Sequence, residues 1–243
     1  MDKVALITGG VRGIGRAIAL ALSERGWAIA TCYRASEEDA ASLNKALAAK
    51  GVRAISERAD VSDARQAEAF VRMVENEFGH IDALINGAGP YHRVNLLEET
   101  VDGWNEMING NLNSAFYVSR AVIPGMKERR SGRIINFSMA NADKGEAQPF
   151  VTGHYIAKSG LLILTRTLAK LLAPFNITVN AISPGFIDSG SASADELQKM
   201  LKTIPAGYLG SVEDCVSAAL YLLSEEARYI NGGNIHLSGG WGM

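Results

Sequence analysis

Two hydrophobic patterns alternate along the whole chain. Short apolar runs rich in β-branched residues predict strands, and several are apolar on both faces, as strands covered by helices on each side are. These predicted strands are residues 4–7, 27–31, 52–55, 81–85, 133–137, 177–182 and 234–237. Between them, apolar residues recur at steps of three and four, and that spacing predicts helices with a buried face.

Strand–helix alternation from one end to the other favours parallel pairing through right-handed crossovers. The sequence contains no Pro/Gly/Ser-rich linker, internal repeat or low-complexity tract. We therefore predict a single domain over residues 1–243, of the α/β class: a Rossmann-type, doubly wound parallel sheet of about seven strands with helices on both faces. The alternation of strands and helices is interrupted at residues 186–203. This is a long connection of the kind that often forms a lid or a binding segment.

Composition excludes several classes of protein. With 47% hydrophobic and 21% charged residues, the chain has the make-up of an ordinary globular protein rather than a disordered or fibrous one. The 24 basic and 26 acidic residues nearly cancel, so we expect no broad cationic field and no nucleic-acid partner.

No membrane or metal partner is expected either. The most apolar long stretch, residues 160–173, is interrupted by Arg166 and Lys170, and the N-terminal residues lack a signal-peptide pattern, so we predict a cytoplasmic protein. Cys32 and Cys215 are far apart and are predicted to be reduced, buried thiols. No cluster of His, Cys and carboxylate residues has metal-ligand spacing.

The first predicted strand runs into a glycine-rich turn, Thr8-Gly-Gly-Val-Arg-Gly-Ile-Gly15, and then into a helical pattern at residues 16–22. Gly9, Gly13 and Gly15 at this spacing permit a tight turn and a close approach of the backbone to a pyrophosphate. The start of the helix offers unpaired N–H groups and the positive end of its dipole to phosphate. The turn therefore predicts a dinucleotide-binding site.

This turn and later motifs resemble those of the short-chain dehydrogenase/reductase family, in its 3-oxoacyl-[acyl-carrier-protein] reductase-like branch, over essentially the whole chain. The other matches are Asp60 in Ala-Asp-Val-Ser, Asn86-Gly87-Ala88-Gly89 with Gly for the family's second Asn, Asn111 seven residues after Trp104, Ser183-Pro184-Gly185-Phe186-Ile187 followed by Ser189 where Thr is common, and residues 228–240. The resemblance implies hydride transfer from a nicotinamide cofactor to the ketone of a small-molecule or acyl-thioester substrate, as in fatty acid synthesis.

The end of the second strand bears on which nicotinamide cofactor binds. Selection of NAD uses an acidic residue about 20 residues past the glycines, but this sequence reads Tyr33-Arg34 with no acid before Glu37. Arg34 and Arg12 could form charge-assisted hydrogen bonds to a 2′-phosphate, so we predict NADP. The other residues that the resemblance assigns to cofactor binding are Ile14, Asp60, Val61, Asn86, Ala88, Gly89, Lys158, Pro184, Gly185 and Ile187.

The resemblance also implies a catalytic set of serine, tyrosine, lysine and asparagine. Ser138 matches the serine that bonds the substrate oxygen, and Asn111 matches the asparagine that holds a water in the proton relay. Lys158 matches the lysine that binds the nicotinamide ribose and lowers the tyrosine pKa. The tyrosine is out of register, because His154 stands four residues before Lys158 and Tyr155 only three. The two point about 100° apart on a helix.

Three interpretations remain open. Tyr155 can serve if the helix start is overwound or bulged. His154 can be the acid, although the like charge of Lys158 disfavours an imidazolium. In the third, neither works, and the chain is a catalytically impaired dinucleotide-binding protein that acts as a sensor or assembly partner. We expect Tyr155 to be the proton donor. Tyr91 and His92 lie where the family's active-site rim should be, and either substrate contact or plain surface exposure fits them.

The predicted helix over residues 153–172 is apolar on more than one side. A surface helix needs only one apolar stripe, so the second apolar face predicts packing against another subunit. With the helix predicted around residues 113–126, it indicates a homo-oligomer, which the resemblance implies is a tetramer.

Overall fold

A parallel sheet of seven strands is the centre of the computed structural model, which describes residues 2–188 and 194–243. The strands are β1 Val4–Thr8, β2 Ala28–Tyr33, β3 Ala54–Arg58, β4 Ala83–Asn86, β5 Gly132–Phe137, β6 Ile177–Pro184, β7 Ile187–Asp188, β8 Gly210–Ser211 and β9 Asn234–Leu237. The main sheet has the order β3-β2-β1-β4-β5-β6-β9, and β7 pairs with β8 outside it. The predicted fold class is therefore confirmed. Ser189, in the long connection, lies outside the described residues.

Helices cover both faces of this sheet. They are α1 Gly13–Ser23, α2 Glu37–Ala49, α3 Ala64–Phe78, α4 Val101–Ile108, α5 Ser114–Arg129, α6 Thr152–Leu172, α7 Ala194–Leu201 and α8 Val212–Leu223. Successive residues of a strand point to opposite faces. Leu6 of β1 belongs to a buried cluster with Val122 of α5, whereas Ile7 belongs to another with Ile18 of α1. The two cores explain why the strands are apolar on both sides.

The carboxyl ends of β1, β4 and β5 form the edge at which the candidate site lies. The parallel register places Thr8 opposite Asn86, and Asn86 opposite Asn136. The Thr8 Oγ1 accepts hydrogen bonds from the N–H groups of Gly87 and Ala88, both at 3.2 Å. Open α/β sheets bind ligands at this edge, where the strand order reverses. Here the reversal falls between β1 and β4.

Among the described helices, none combines the length and the hydrophobicity that crossing a bilayer requires. This includes α6, which has 21 residues.

Candidate active site

The glycine-rich turn after β1 is shaped by close backbone contacts. Gly9 has a φ of 68°, a conformation that side chains other than glycine rarely adopt. A Cβ atom on Gly15 would lie 2.5 Å from the Gly9 carbonyl oxygen, so no larger residue fits there. The N-cap residue of α1, Arg12, makes no side-chain cap. The Arg12 side chain therefore leaves the first N–H groups of α1 to an anion such as a phosphate.

A groove opens beside this turn. Eight of the residues that line it come from the predicted cofactor set, namely Gly9, Arg12, Tyr33, Arg34, Asp60, Val61, Ala88 and Gly89. Others in its lining are Pro90, Tyr91, Glu106, Asn109, Gly110 and Ser114. The remaining residues predicted to bind the cofactor do not line it, namely Gly13, Ile14, Gly15, Asn86, Lys158, Pro184, Gly185 and Ile187. The groove thus gathers one half of the predicted site.

Two arginines line the groove, Arg12 in the glycine-rich turn and Arg34 directly after β2. Arg34 forms an ion pair with Glu106 at 3.3 Å, but both side chains are largely exposed, and such pairs contribute little stability. The Arg34 guanidinium therefore remains available to a ligand. The Asp60 carboxylate is occupied, because its Oδ1 accepts bonds from the N–H and hydroxyl of Ser62 at 3.0 and 2.7 Å.

A dinucleotide fits these features. Asn86, under the glycine turn, is buried, and its Nδ2 donates to Asn136 Oδ1 at 2.8 Å. Its Oδ1 is buried and has no hydrogen-bond partner within residues 2–188 and 194–243. Because buried polar atoms are normally paired, this oxygen marks a place for a ligand donor, such as a ribose hydroxyl. No three His, Cys, Asp or Glu side chains of the described part of the chain are arranged to hold a metal ion.

Lys158 is a buried cation on α6. Its Nζ donates to the carbonyl oxygen of Phe137, at the end of β5, at 2.7 Å. Burial lowers the pKa of the Lys158 ammonium to about 8, because a low-dielectric environment disfavours the charged form. The amine is still mostly protonated at pH 7. Two of its three N–H bonds have no partner in the described residues and can bind a ligand.

Ser138 directly follows β5. Its hydroxyl is buried and donates to the main-chain carbonyl oxygen of Lys158 at 2.9 Å. The single hydroxyl proton is thereby used, so Ser138 is not arranged to donate a bond to a substrate oxygen. The next residue, Met139, packs against the buried residues Ala142 and Leu162 and offers no hydroxyl in its place.

Tyr155 lies in a regular turn at the start of α6. The helix start is neither overwound nor bulged, because α6 is helical from Thr152 and the Tyr155 N–H bonds the Val151 carbonyl at 2.8 Å. The Tyr155 hydroxyl is buried, donates to the Asn141 carbonyl at 2.7 Å and accepts from the Glu146 N–H at 3.1 Å. Its hydroxyl therefore fastens the loop after β5, and the expected role as proton donor is not supported.

His154 lies on the other side of this helical turn. Its ring makes an edge contact with Tyr91, which lines the groove, with 5.1 Å between the ring centroids. Burial, together with the positive charges of Lys158 and His92, lowers the pKa of His154 to about 3. The ring is therefore neutral at pH 7.

Tyr91 and His92 are the site residues whose importance the sequence left undecided. The His92 Nε2 lies 2.6 Å from Glu99 Oε2. The signal that could have identified them is their place directly after the motif that ends β4, since loops at this edge commonly bind ligands.

Asn111 lies in a π-helical turn, Asn109–Asn113, between α4 and α5. Such single turns often mark functional sites. The buried Asn111 Nδ2 donates to the carbonyl oxygens of Pro90 and Met107 at 2.9 and 3.0 Å. This residue thus ties the segment after β4 to the helix. Its role in holding a water stays a prediction.

Comparison with known proteins agrees with this geometry. The family model described as "Enoyl-(Acyl carrier protein) reductase" matches residues 9–242. A solved structure, a putative short-chain alcohol dehydrogenase from Sinorhizobium meliloti 1021, superimposes with a TM-score of 0.91 at 31% identity, covering 99% of this chain and 97% of the other. The fold and groove are thus those of dinucleotide-dependent oxidoreductases, and the chain belongs to the short-chain dehydrogenase/reductase family.

Similarity to curated relatives indicates the branch of that family to which the chain belongs. The chain is 38% identical to the 3-oxoacyl-[acyl-carrier-protein] reductase of Staphylococcus aureus, with 100% of this chain and 99% of the relative aligned. It is also 38% identical to the protein of the same name from Vibrio harveyi, with 99% and 98% aligned. The chain is therefore an enzyme of the 3-oxoacyl-[acyl-carrier-protein] reductase-like branch.

Proposed function

We propose that residues 1–243 act as one dinucleotide-binding and catalytic domain that uses NADPH to reduce the ketone of a 3-oxoacyl thioester, or of a related substrate, to an alcohol. The observation that carries this proposal is the groove in which the glycine turn meets Arg12 and Arg34. Similarity to 3-oxoacyl-[acyl-carrier-protein] reductases over the whole chain supports the substrate class.

Arg12 and Arg34 favour NADP over NAD. A 2′-phosphate carries about two negative charges, and guanidinium groups bind such anions through paired, charge-assisted hydrogen bonds. The exposed Glu106 carboxylate is a weak competitor for Arg34. Asp60 and Val61, which also line the groove, would border the adenine.

The start of α1 would hold the pyrophosphate, and Asn86 would border the adenosine ribose. Lys158 would bind the nicotinamide ribose through one of its two free N–H bonds, and Pro184, Gly185 and Ile187 would also contact the cofactor. When bound, NADPH supplies the hydride. The buried ammonium of Lys158 contributes a fixed positive charge that stabilises negative charge developing on a substrate oxygen.

Apolar side chains at the rim support an acyl-chain substrate. The segment after β4 pairs with the segment before α6, since the N–H groups of Val94 and Leu96 bond the carbonyls of Phe150 and Pro149, each at 2.9 Å. Leu96, Leu97 and Phe150 are exposed there. Exposed apolar groups beside a groove commonly contact an apolar ligand.

We also propose that the chain forms a homotetramer. On α6, Ile163 and Leu171 are 64% and 62% exposed, and Phe116 on α5 is 44% exposed. Ile123 and Leu168 line a surface groove between these two helices. A closed symmetric assembly would cover such an apolar surface.

Consumption of NADPH, measured against a panel of ketones that includes acetoacetyl thioesters, tests the proposed activity. We expect turnover with at least one 3-oxoacyl thioester and little with NADH. Lys158→Met is the matched inactive variant. Tight binding of NADPH without consumption on any ketone would favour a dinucleotide-binding protein instead.

A further inference from the structure

His154 lies on α6 next to Tyr91, one of the residues that line the groove. It lies on the first turn of α6, one helical turn before Lys158, so the two side chains point within about 40° of each other. The imidazole is 9% exposed and contacts the ring of Tyr91, which lines the groove. The ring is therefore buried beside the groove, in contact with one of its lining residues.

The hydrogen-bonding capacity of the His154 ring is not satisfied within the part of the chain that the structure describes. Its Nδ1 is fully buried and has no hydrogen-bond partner within the described residues. A buried polar atom without a partner is costly and is found mainly where a ligand, water or reaction completes it. The neighbouring hydroxyl of Tyr155, by contrast, both donates and accepts a bond inside the loop after β5.

The charge state of the His154 ring determines which hydrogen bonds it can make. Lys158 and His92 oppose protonation, and burial does so most. A neutral imidazole carries one N–H and one unprotonated nitrogen. Such a ring is a hydrogen-bond donor that can polarise a carbonyl group without first becoming charged.

We propose that His154 is a catalytic residue that donates its ring N–H to the ketone oxygen of the substrate and transfers that proton to it, while the other ring nitrogen takes a proton from the Lys158 ammonium. The inference rests on the proposed function. The substrate oxygen gains one proton, the ring becomes its other tautomer, and Lys158 becomes an amine. One proton from solvent, taken up as the ring returns its proton to Lys158, restores both groups.

Two substitutions and a control test this role. His154→Phe keeps an aromatic ring but has no N–H, and we expect kcat to fall at least about 100-fold while the Kd for NADPH changes less than about twofold. His154→Gln keeps a donor but cannot relay a proton, so its kcat should lie between the two. In the control, Tyr155→Phe, kcat should stay within about tenfold of wild type. A His154→Phe enzyme with wild-type kcat would overturn the proposal.

A spectroscopic measurement on the wild-type chain gives a readout that does not depend on turnover or on the folding of a variant. Protein labelled with ¹⁵N-histidine is mixed with NADP⁺, which has no hydride to give, and an acetoacetyl thioester. We expect the His154 nitrogens to report a neutral ring from pH 5 to pH 8 and to shift when the ketone is added. A ring that is charged at pH 5, or that does not respond to the ketone, would contradict the proposal.

A failure of the proposed function can be distinguished from a failure of the role proposed for His154. Wild-type protein that binds NADPH but reduces no ketone contradicts the proposed function, and this inference with it. Ketone reduction that is the same in wild type and His154→Phe contradicts the role of His154 alone.

Discussion

Replacing Lys158 by methionine should stabilise the protein while it removes turnover. Burial lowers the pKa of Lys158 from its ordinary 10.5 to about 8, and each pH unit of such a difference corresponds to about 1.36 kcal/mol. Burying the ammonium therefore costs about 3 kcal/mol at pH 7. Methionine removes the charge and keeps the length, but it leaves the Phe137 carbonyl without its donor, a loss of about 1 kcal/mol. We expect a net gain of about 2 kcal/mol.

The pH dependence gives this prediction a distinct signature. The folded-state pKa lies below the unfolded one, so between pH 8 and 10.5 the unfolded chain binds more protons than the folded one. Stability of the wild-type protein should therefore rise with pH across that window relative to Lys158→Met. The advantage of the variant should be full below pH 8 and should shrink as the pH rises toward 10.5.

Urea unfolding without cofactor, at pH 7 and pH 10 and at one protein concentration, measures both effects. Lys170→Met is the matched control, because Lys170 is an exposed lysine on the same helix, and its replacement should change stability by less than about 0.5 kcal/mol. A Lys158→Met protein that is less stable than wild type at pH 7 would refute the argument. A difference in unfolding free energy between Lys158→Met and wild type that does not change with pH would also refute it.

Three further predictions concern the cofactor, the histidine and the assembly. Arg34→Asp should weaken NADPH binding about 10- to 150-fold, as expected for a lost charged hydrogen bond of roughly 1.5–3 kcal/mol, and equal Kd values for NADPH and NADH in wild type would contradict it. The pKa of His154 lies at about 3 rather than 6.5. The stability of the folded protein should therefore fall as the pH drops from 6.5 toward 3, because the unfolded chain takes up a proton that the folded ring does not. Thermal melting at pH 7 and pH 5 should show a smaller loss of stability for His154→Phe than for wild type. Ile163→Glu should dissociate the proposed tetramer in sedimentation experiments, and a wild-type monomer at micromolar concentration would refute the proposed assembly.

The fold was predictable because its signal is repeated along the chain. The run at 133–137 lies within the observed strand Gly132–Phe137, and the run at 234–237 coincides with the observed strand Asn234–Leu237. The short strands Ile187–Asp188 and Gly210–Ser211 were missed, since two residues carry no periodicity. Elsewhere the predicted strand boundaries differ from the observed ones by up to three residues, as at 52–55 against Ala54–Arg58.

The candidate site was only partly predictable. The glycine turn, the arginines and Lys158 follow from local motifs, and the structure brings Arg12 and Arg34 to one groove. The direction of a hydroxyl group, by contrast, depends on backbone groups that are distant in the sequence. The Tyr155 hydroxyl bonds the carbonyl of Asn141, which adopts a φ of 59°. No periodic pattern in the sequence predicts the conformation of the loop that contains Asn141. For the same reason, the sequence did not show that the hydroxyl of Ser138 bonds a carbonyl one helix away.

The most direct test of the proposed function follows a label from the cofactor to the substrate. NADPH in which both hydrogens at C4 of the nicotinamide are deuterium is incubated with the enzyme and an acetoacetyl thioester, and the product is analysed by mass spectrometry and proton NMR. We expect a 3-hydroxyacyl thioester with one deuterium on the carbinol carbon, formed by wild type and not by Lys158→Met. Full NADPH binding with no labelled alcohol from any ketone of the panel would contradict it.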